Sequence, residues 1–397
     1  MTGPLHGVKV LDVSRILSGP FCTMLLADLG AEVVKVERPG EGDPARTLGP
    51  TVDGDAAYFI SVNRGKKSIT LDISMEEGQR LFRALTPHFD VLVENFVPGT
   101  MARFELDYPR LREVNPRLVY ASISGFGQDG PSADRPAMDI IVQAMGGLMS
   151  VTGEPGGPPL RPGASLGDSV AGLFAALSIV SALWQRQSTG RGQHIDMSML
   201  DCQVTMMENA FSRYFATRQV PGPLGSRHPA IAPFQSFKAY DGYFVVAFGS
   251  YDLDTWRRFC HAIGRSDLGE DRRFASNADR VRHIDLLAGA LQQAFGTRTV
   301  GHWLAVLSEA GIPCGPVNDI KQVAQDPQVL HRGMMAAIPH ASAGTWTVAN
   351  TPFRMSEGTT GPAGASPRLG EHTDVVLRGV LALTDGEIAS LRARRVI

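Results

Sequence analysis

The amino-acid sequence predicts an α/β protein: a large Rossmann-like domain with a parallel sheet, joined to a smaller α+β domain. Residues 8–13 (VKVLDV) and 31–37 (AEVVKVE) are short apolar runs of the kind that form buried strands. Between them, residues 20–29 (PFCTMLLADL) read as a helix with Pro20 in its first turn and Gly30 just past its end. Strand, helix and strand in that order make a right-handed crossover between parallel neighbours. Near Gln219 the character changes, because PGPLGSRHPAIAP is rich in Pro and Gly and the segments after it mix strand-like and helical patterns.

The remaining elements follow in order. A polar Gly/Pro loop, 38–55, leads through 58–62 and NRGKKS (63–68) to a strand at 69–73. Ser74 and Glu77 have capping-box spacing and start a helix to about Leu85. Residues 90–94 (DVLVE) and 118–123 (LVYASI) are further buried strands, ending in NFVPG and SGFGQDGP. Loops at the carboxyl ends of such strands are where open α/β sheets place ligands.

The organising stretch is 160–200, centred on Asp168. Pro162, Gly163 and Gly167 precede it, and a helix is predicted from about 169 to 187, so Asp168 is expected at a loop-to-helix junction. There a carboxylate can cap the helix, and the helix dipole keeps it ionised. Such a group can serve as a cap, a general base or a nucleophile. Val170, Leu173, Phe174, Leu177, Ile179, Val180, Leu183 and Trp184 make the helix apolar on nearly every side, which predicts burial. A helix follows from about 201 to 218. FQSFKAYDGYFVVAF, TWRRFCHAIG and HIDLLAGALQQAF make the smaller domain, closed by AGIPCGPVNDI. Residues 323–367 read as a loop-rich return, and Thr384 with Glu387 caps a last helix.

At 397 residues the chain has room for two or three domains, and 43% hydrophobic with 20% charged residues is ordinary for a soluble protein. A net charge of −2 excludes the basic excess that nucleic acid requires. No run reaches the roughly 18 apolar residues of a membrane span, and the N-terminus enters a strand directly, so a cytoplasmic location is expected. Cys22, Cys202, Cys260 and Cys314 form no CxxC pair and the histidines no HExxH, so no metal is expected. The first turn, SRILSGP, lacks GxGxxG, which argues against a nicotinamide or flavin. Arg38, Arg46, Arg64, Lys66, Lys67 and Arg103 lie in or beside the ligand-side loops and are candidate partners for a polyanion.

GDSVAG (167–172), TGRGQHIDMSMLD (189–201) and QAMGGLMSVTG (143–153) together resemble the central region of the family III CoA-transferases, the formyl-CoA, carnitine and succinyl-CoA transferase type. The resemblance runs from LHGVKVLD at the start to GEHTDVVL near the end. It implies a CoA-transferase in which Asp168 is the nucleophile, forming aspartyl anhydride and aspartyl-CoA thioester intermediates. It implies CoA contacts at Leu17, Ser18, Arg38, Leu71, Asn95, Phe96, Val97, Arg103, Arg135 and Met138, and a mobile acyl-site loop at Gly222 and Gly225. Ser74 stands where the oxalate-type members carry a CoA-contacting lysine. The domains implied are a large CoA-binding domain over 1–200 completed by 368–397, a linker over 201–224, a small domain over 225–325 and a return linker over 326–367. An interlocked homodimer is implied, with no permanently bound cofactor, CoA thioester being a substrate. The expected partners are an acyl-CoA and a short carboxylic acid, dicarboxylic acids such as succinate included, with no nucleic acid and no membrane.

The rival reading is an isomerase resembling the α-methylacyl-CoA racemases, which keep an aspartate at the position of Asp168. They use a histidine in a GHD triplet, which here is Ala137-Met138-Asp139, and a thioether cannot accept a proton. Their glutamate in an EP pair corresponds to about Ala232-Pro233. Arg161, Arg213, Arg227 and His228 are open candidates for pairing with a distal carboxylate.

Overall fold

The computed structural model describes residues 2–249, 252–340, 344–362 and 364–397. They form two compact units: Met1–Leu148 with Arg161–Arg218 and Pro327–Ile397, and Met149–Leu160 with Gln219–Asp326.

The first unit is built on six parallel strands: β1 (Lys9–Asp12), β2 (Glu32–Glu37), β3 (Lys67–Thr70), β4 (Val91–Glu94), β5 (Val119–Ser124) and β6 (His194–Ser198). Their order is β3-β2-β1-β4-β5-β6. Successive side chains point to opposite faces, and both faces are covered, which is why the strands read as unbroken apolar runs. Leu11, Val34, Ile69, Leu92 and Tyr120 face a cluster that includes Leu81, Phe82 and Leu85. Val10, Val33, Val91, Val119 and Ile123 face the other, with α1 (Ser18–Asp28) and α3 (Leu166–Thr189). The strand order reverses between β1 and β4, so a crevice opens at the carboxyl ends of these two strands.

Helix α2 (Asp139–Met145) precedes α3, and α4 (Met199–Met206) follows β6 with Ser198 as its cap. Helices α1 and α3 approach closely because Gly172 has no side chain: a Cβ there would lie 2.6 Å from the Ser18 carbonyl oxygen and 3.0 Å from Phe21 Cδ1. The helix expected as one from 201 to 218 is two, broken at Met207 and continued by Glu208–Thr217. The capping box at Ser74 does not form. The helix there is Glu76–Leu85, behind Met75, and the Ser74 hydroxyl donates to Asp72 at 2.5 Å instead.

Helix α3 bears on one expectation and corrects another. At 24 residues it is long and apolar enough to cross a membrane by length and composition alone, although one face (Ala171, Ala175, Ile179, Ala182, Leu183) belongs to the core. It is not buried all round: Leu173, Leu177 and Trp184 are 50%, 59% and 80% exposed in the single chain.

The outer edge of β3 is covered from far along the chain. The His372 amide donates to the Ser68 carbonyl at 2.8 Å, the Gly370 amide to the Ser68 hydroxyl at 2.9 Å, and the Thr70 amide to Thr373 Oγ1 at 2.9 Å. Val376, Leu377, Ile388, Leu391 and Val396 behind these contacts complete the core on that side. The last helix carries its capping box, Thr384 with Glu387. The stretch expected to be loop-rich holds a hairpin, Met335–His340 with Gly344–Ala349, whose Ile338 and Val348 pack on Ile60.

The second unit has an antiparallel sheet of β7 (Phe234–Lys238), β8 (Tyr243–Ala247) and β9 (Cys314–Pro316), with β8 in the middle. Phe237, Phe244, Trp256, Phe259, Phe295 and Trp303 fill its core. Arg280 is fully buried beside the Trp256 ring, 4.8 Å from its centroid, and donates to the Ala232 carbonyl at 2.8 Å.

Candidate active site

The loop after β1 is held rigidly from below. Lys35 Nζ pairs with Asp43 at 2.9 Å and donates to the Ser14 carbonyl at 2.6 Å, while Asp12 accepts from Lys66 Nζ at 3.0 Å and from the hydroxyls of Ser14 and Thr23. Burial alone would raise the Asp12 carboxyl, but Lys66, Lys35 and the two hydroxyls outweigh it and hold it down at about 2. Asp43 Oδ1 in turn accepts from the Ile16 amide at 3.0 Å. Ile16 has φ 68°, a left-handed conformation that a β-branched residue adopts only when its surroundings force it. The ion network supplies that constraint and presents Leu17 and Ser18, at the start of α1, to the crevice.

Asn95, after β4, ties the two loops together. Its Oδ1 accepts from the Arg15 amide at 2.9 Å, and its Nδ2 donates to the Arg15 carbonyl at 2.8 Å and to Ser18 Oγ at 3.1 Å. Beneath it Glu94 accepts from the Phe96 amide at 2.8 Å, and burial pushes its carboxyl up to about 7 against that bond and one from Ser122.

Two adjoining cavities open over these loops. The larger, of about 610 Å³, is lined by Leu17, Ser18, Tyr58, Asn95, Phe96, Val97, Arg135, Met138, Asp139, Arg161 and Asp168. The smaller, of about 290 Å³, is lined by Arg38, Leu71, Ser74, Phe96 and Phe104, and shares Arg15, Pro44 and Phe96 with the first. Nine of the expected CoA contacts therefore line one continuous groove. Arg103 lines neither cavity and donates to Thr100 Oγ1 at 3.2 Å. Gly222 and Gly225 lie in the second unit, where the Gly225 amide donates to the Gly153 carbonyl at 2.8 Å. Several candidate basic residues are committed elsewhere: Arg46 to Glu37 at 2.8 Å, Arg64 to Asp28 at 2.7 Å, Lys66 to Asp12, and Lys67 to Glu32 at 2.7 Å.

Asp168 is not the cap of α3. The helix begins at Leu166 behind Ser165, which places Asp168 third in the first turn. The amide that a cap would take, that of Gly167, donates to Asp139 Oδ1 at 2.8 Å, so a carboxylate 28 residues earlier closes the helix end. Gly167 is required by this approach, since a Cβ would stand 2.7 Å from Val142 Cγ2 and 3.0 Å from Asp139 Oδ1. Asp139 also accepts from Gln143 Nε2 at 2.8 Å and from Arg161 Nε and Nη2 at 3.0 and 2.6 Å.

The Asp168 carboxylate has no hydrogen-bond donor among the described residues. Burial, then the negative charge of Asp139, pushes its pKa up to about 6, with Arg161 opposing. Desolvation and a like charge therefore outweigh the dipole that was expected to favour the charged form, although a carboxyl at about 6 is still mostly ionised at pH 7. The Tyr58 hydroxyl is pushed up to about 12 by burial and by the same two carboxylates with Asp43. Tyr58 as a cavity residue and Asp139 as the helix cap escaped sequence reading. Asp139 was visible only as the last residue of the Ala137-Met138-Asp139 triplet, and nothing local marks Tyr58.

A carboxylate without donors, partly desolvated in a groove lined by arginines, is suited to attack an electrophilic carbonyl. The sequence model of CoA-transferase family III matches residues 5–373. An acetyl-CoA:oxalate CoA-transferase of Acetobacter aceti is 45% identical over 334 residues, covering 84% of this chain and 85% of that protein. A succinyl-CoA:glutarate CoA-transferase of Mus musculus is 39% identical over 99% of this chain and 90% of that one. The crystal structure of a CAIB/BAIF family protein from Brucella suis superposes with a TM-score of 0.87 at 39% identity, covering 96% of this chain and all of that one.

Proposed function

The chain belongs to CoA-transferase family III, and from that membership we propose that it passes CoA from an acyl-CoA to a free dicarboxylic acid with Asp168 as covalent nucleophile. The state of Asp168 carries this reading. Raised basicity makes a carboxylate a better nucleophile, and a water-poor setting protects an anhydride once formed. The choice of acceptor acid rests on the relatives, whose names pair acetyl-CoA with oxalate and succinyl-CoA with glutarate, so that the acid paired with the acyl-CoA is dicarboxylic in both.

The steps balance without ATP or metal. An Asp168 oxygen attacks the thioester carbonyl, the C–S bond breaks, and a mixed anhydride and CoA thiolate result. The thiolate attacks the Asp168 carbonyl, which expels the donor acid and leaves an aspartyl-CoA thioester. The acceptor carboxylate attacks that carbonyl to make a second anhydride, releasing the thiolate. Attack of the thiolate on the acceptor carbonyl yields the new acyl-CoA and restores the Asp168 carboxylate. Each step exchanges one activated acyl bond for another, so no single barrier carries the whole exchange.

Hydroxylamine added during incubation with acyl-CoA is expected to convert Asp168 to a hydroxamate, located by peptide mapping, and Asp168→Asn is expected to abolish both adduct and transfer. Retention of more than about a tenth of wild-type kcat by Asp168→Asn would rule the mechanism out. The exposed apolar stripe of Leu173, Leu177 and Trp184 on α3 supports a homodimer in the same reading. Sedimentation at nanomolar protein is expected to show a single dimeric species, and dissociation on dilution contradicts an interlocked assembly.

A further inference from the structure

A dicarboxylic acyl group brings a second negative charge into a cavity whose reacting end already holds Asp168 and Asp139. Like charges at that range repel unless a cation stands between them. Three arginines line the cavity. The guanidinium of Arg15 lies over the Phe96 ring at 4.9 Å and that of Arg135 over Phe126 at 5.5 Å, whereas Arg161 lies at the carboxylates themselves. Of the other residues considered for a distal carboxylate, Arg213, on Glu208–Thr217 of the same unit, does not line the cavity, while within the second unit Arg227 pairs with Asp285 at 2.6 Å and His228 accepts from the Ala230 amide.

Arg161 is held by one side only. Nε and Nη2 grip Asp139 Oδ2, and Nη2 also reaches Ser165 Oγ at 3.1 Å, while Nη1 makes no hydrogen bond among the described residues. Asp139 is itself fixed by the Gly167 amide and Gln143, so the guanidinium cannot swing away, and a third of the Arg161 side chain is open to solvent. A planar fork anchored along one edge and free at Nη1 is preorganised to receive a carboxylate.

We infer that Arg161 binds the distal carboxylate of the substrate through Nη1, and thereby selects dicarboxylic over monocarboxylic acids of equal length. This rests on the transferase reading above. Arg161→Met, assayed with succinate and with butyrate as acceptors, is expected to lower the ratio of their kcat/KM values about 100-fold, the loss of one charge-assisted contact. Arg161→Lys is expected to recover part of it. Because Arg161 also steadies Asp139, some activity is lost with both acids, and the ratio alone reads the inference. The Arg161→Gln/Asp139→Asn double variant removes both charges together and is expected to show the same fall in ratio should the single variant fold poorly. An unchanged ratio in the variants, or a wild type that does not prefer succinate, overturns the role of Arg161 while leaving the transferase standing. A wild type that transfers CoA to none of oxalate, succinate, glutarate and butyrate overturns the reading on which it rests.

Discussion

Replacing Asp168 by Asn is expected to stabilise the protein at neutral pH while abolishing transfer. The carboxyl is displaced from its ordinary 3.8 to about 6, by burial first and by Asp139 second. An acid whose pKa is higher folded than unfolded holds more protons in the native state between those two values, so stability falls as pH rises through the window. Below about pH 4 both states are protonated and the group contributes nothing. Above about pH 6 both are ionised and the folded state bears the whole penalty. At about 1.4 kcal/mol per tenfold change in proton affinity, it is about 3 kcal/mol. Asn has nearly the shape of the protonated acid and cannot ionise, so it escapes the penalty. Denaturant midpoints at one protein concentration are expected to put Asp168→Asn ahead by about 3 kcal/mol at pH 7.5 and by about 1 kcal/mol at pH 4.5. A variant no more stable than wild type at pH 7.5, or an advantage that does not shrink on acidification, refutes the reasoning.

Transfer is expected to rise with pH as Asp168 ionises, half-maximal near about pH 6. Asp139→Asn, which removes the neighbouring charge, is expected to move the midpoint of the kcat/KM profile to lower pH. Among the described residues Arg38 is tied only to the exposed Glu41, at 3.2 Å, and it lines the smaller cavity, so Arg38→Ala is expected to raise KM for acyl-CoA about tenfold and leave that for the acid unchanged in a two-substrate analysis. Gly172→Ala drives a methyl group into the start of α1 and is expected to lower stability by about 1–3 kcal/mol in denaturant titration. It is also expected to raise KM for acyl-CoA, since Ser18 lines the groove.

The central sheet was legible because strands covered on both faces leave unbroken apolar runs such as those of β4 and β5. Strand β6, HIDMS, escaped, because it lies at the sheet edge and carries His194 and Asp196 among its apolar residues. The final capping box was found because both partners lie within one turn. The one at Ser74 misled because Asp72, two residues earlier, competes for its hydroxyl. The start of α3 was displaced by reading Gly167 as loop, when the residue is glycine for lack of space beside Val142. The charge state of Asp168 depends on Asp139, and the fates of Arg46, Arg64 and Lys66 on acids 9, 36 and 54 positions away, and no local pattern reports such pairings.

During synthesis the outer edge of β3 waits long for its cover. The residues that satisfy it lie 302 to 304 positions downstream, and at about 5–20 residues per second a ribosome needs about 15–60 s to reach them. For that interval a nascent chain presents open amide and carbonyl groups on which another chain can pair. Ribosomes paused before residue 370 therefore hold the species most in need of a chaperone, and slow codons late in the message lengthen its exposure.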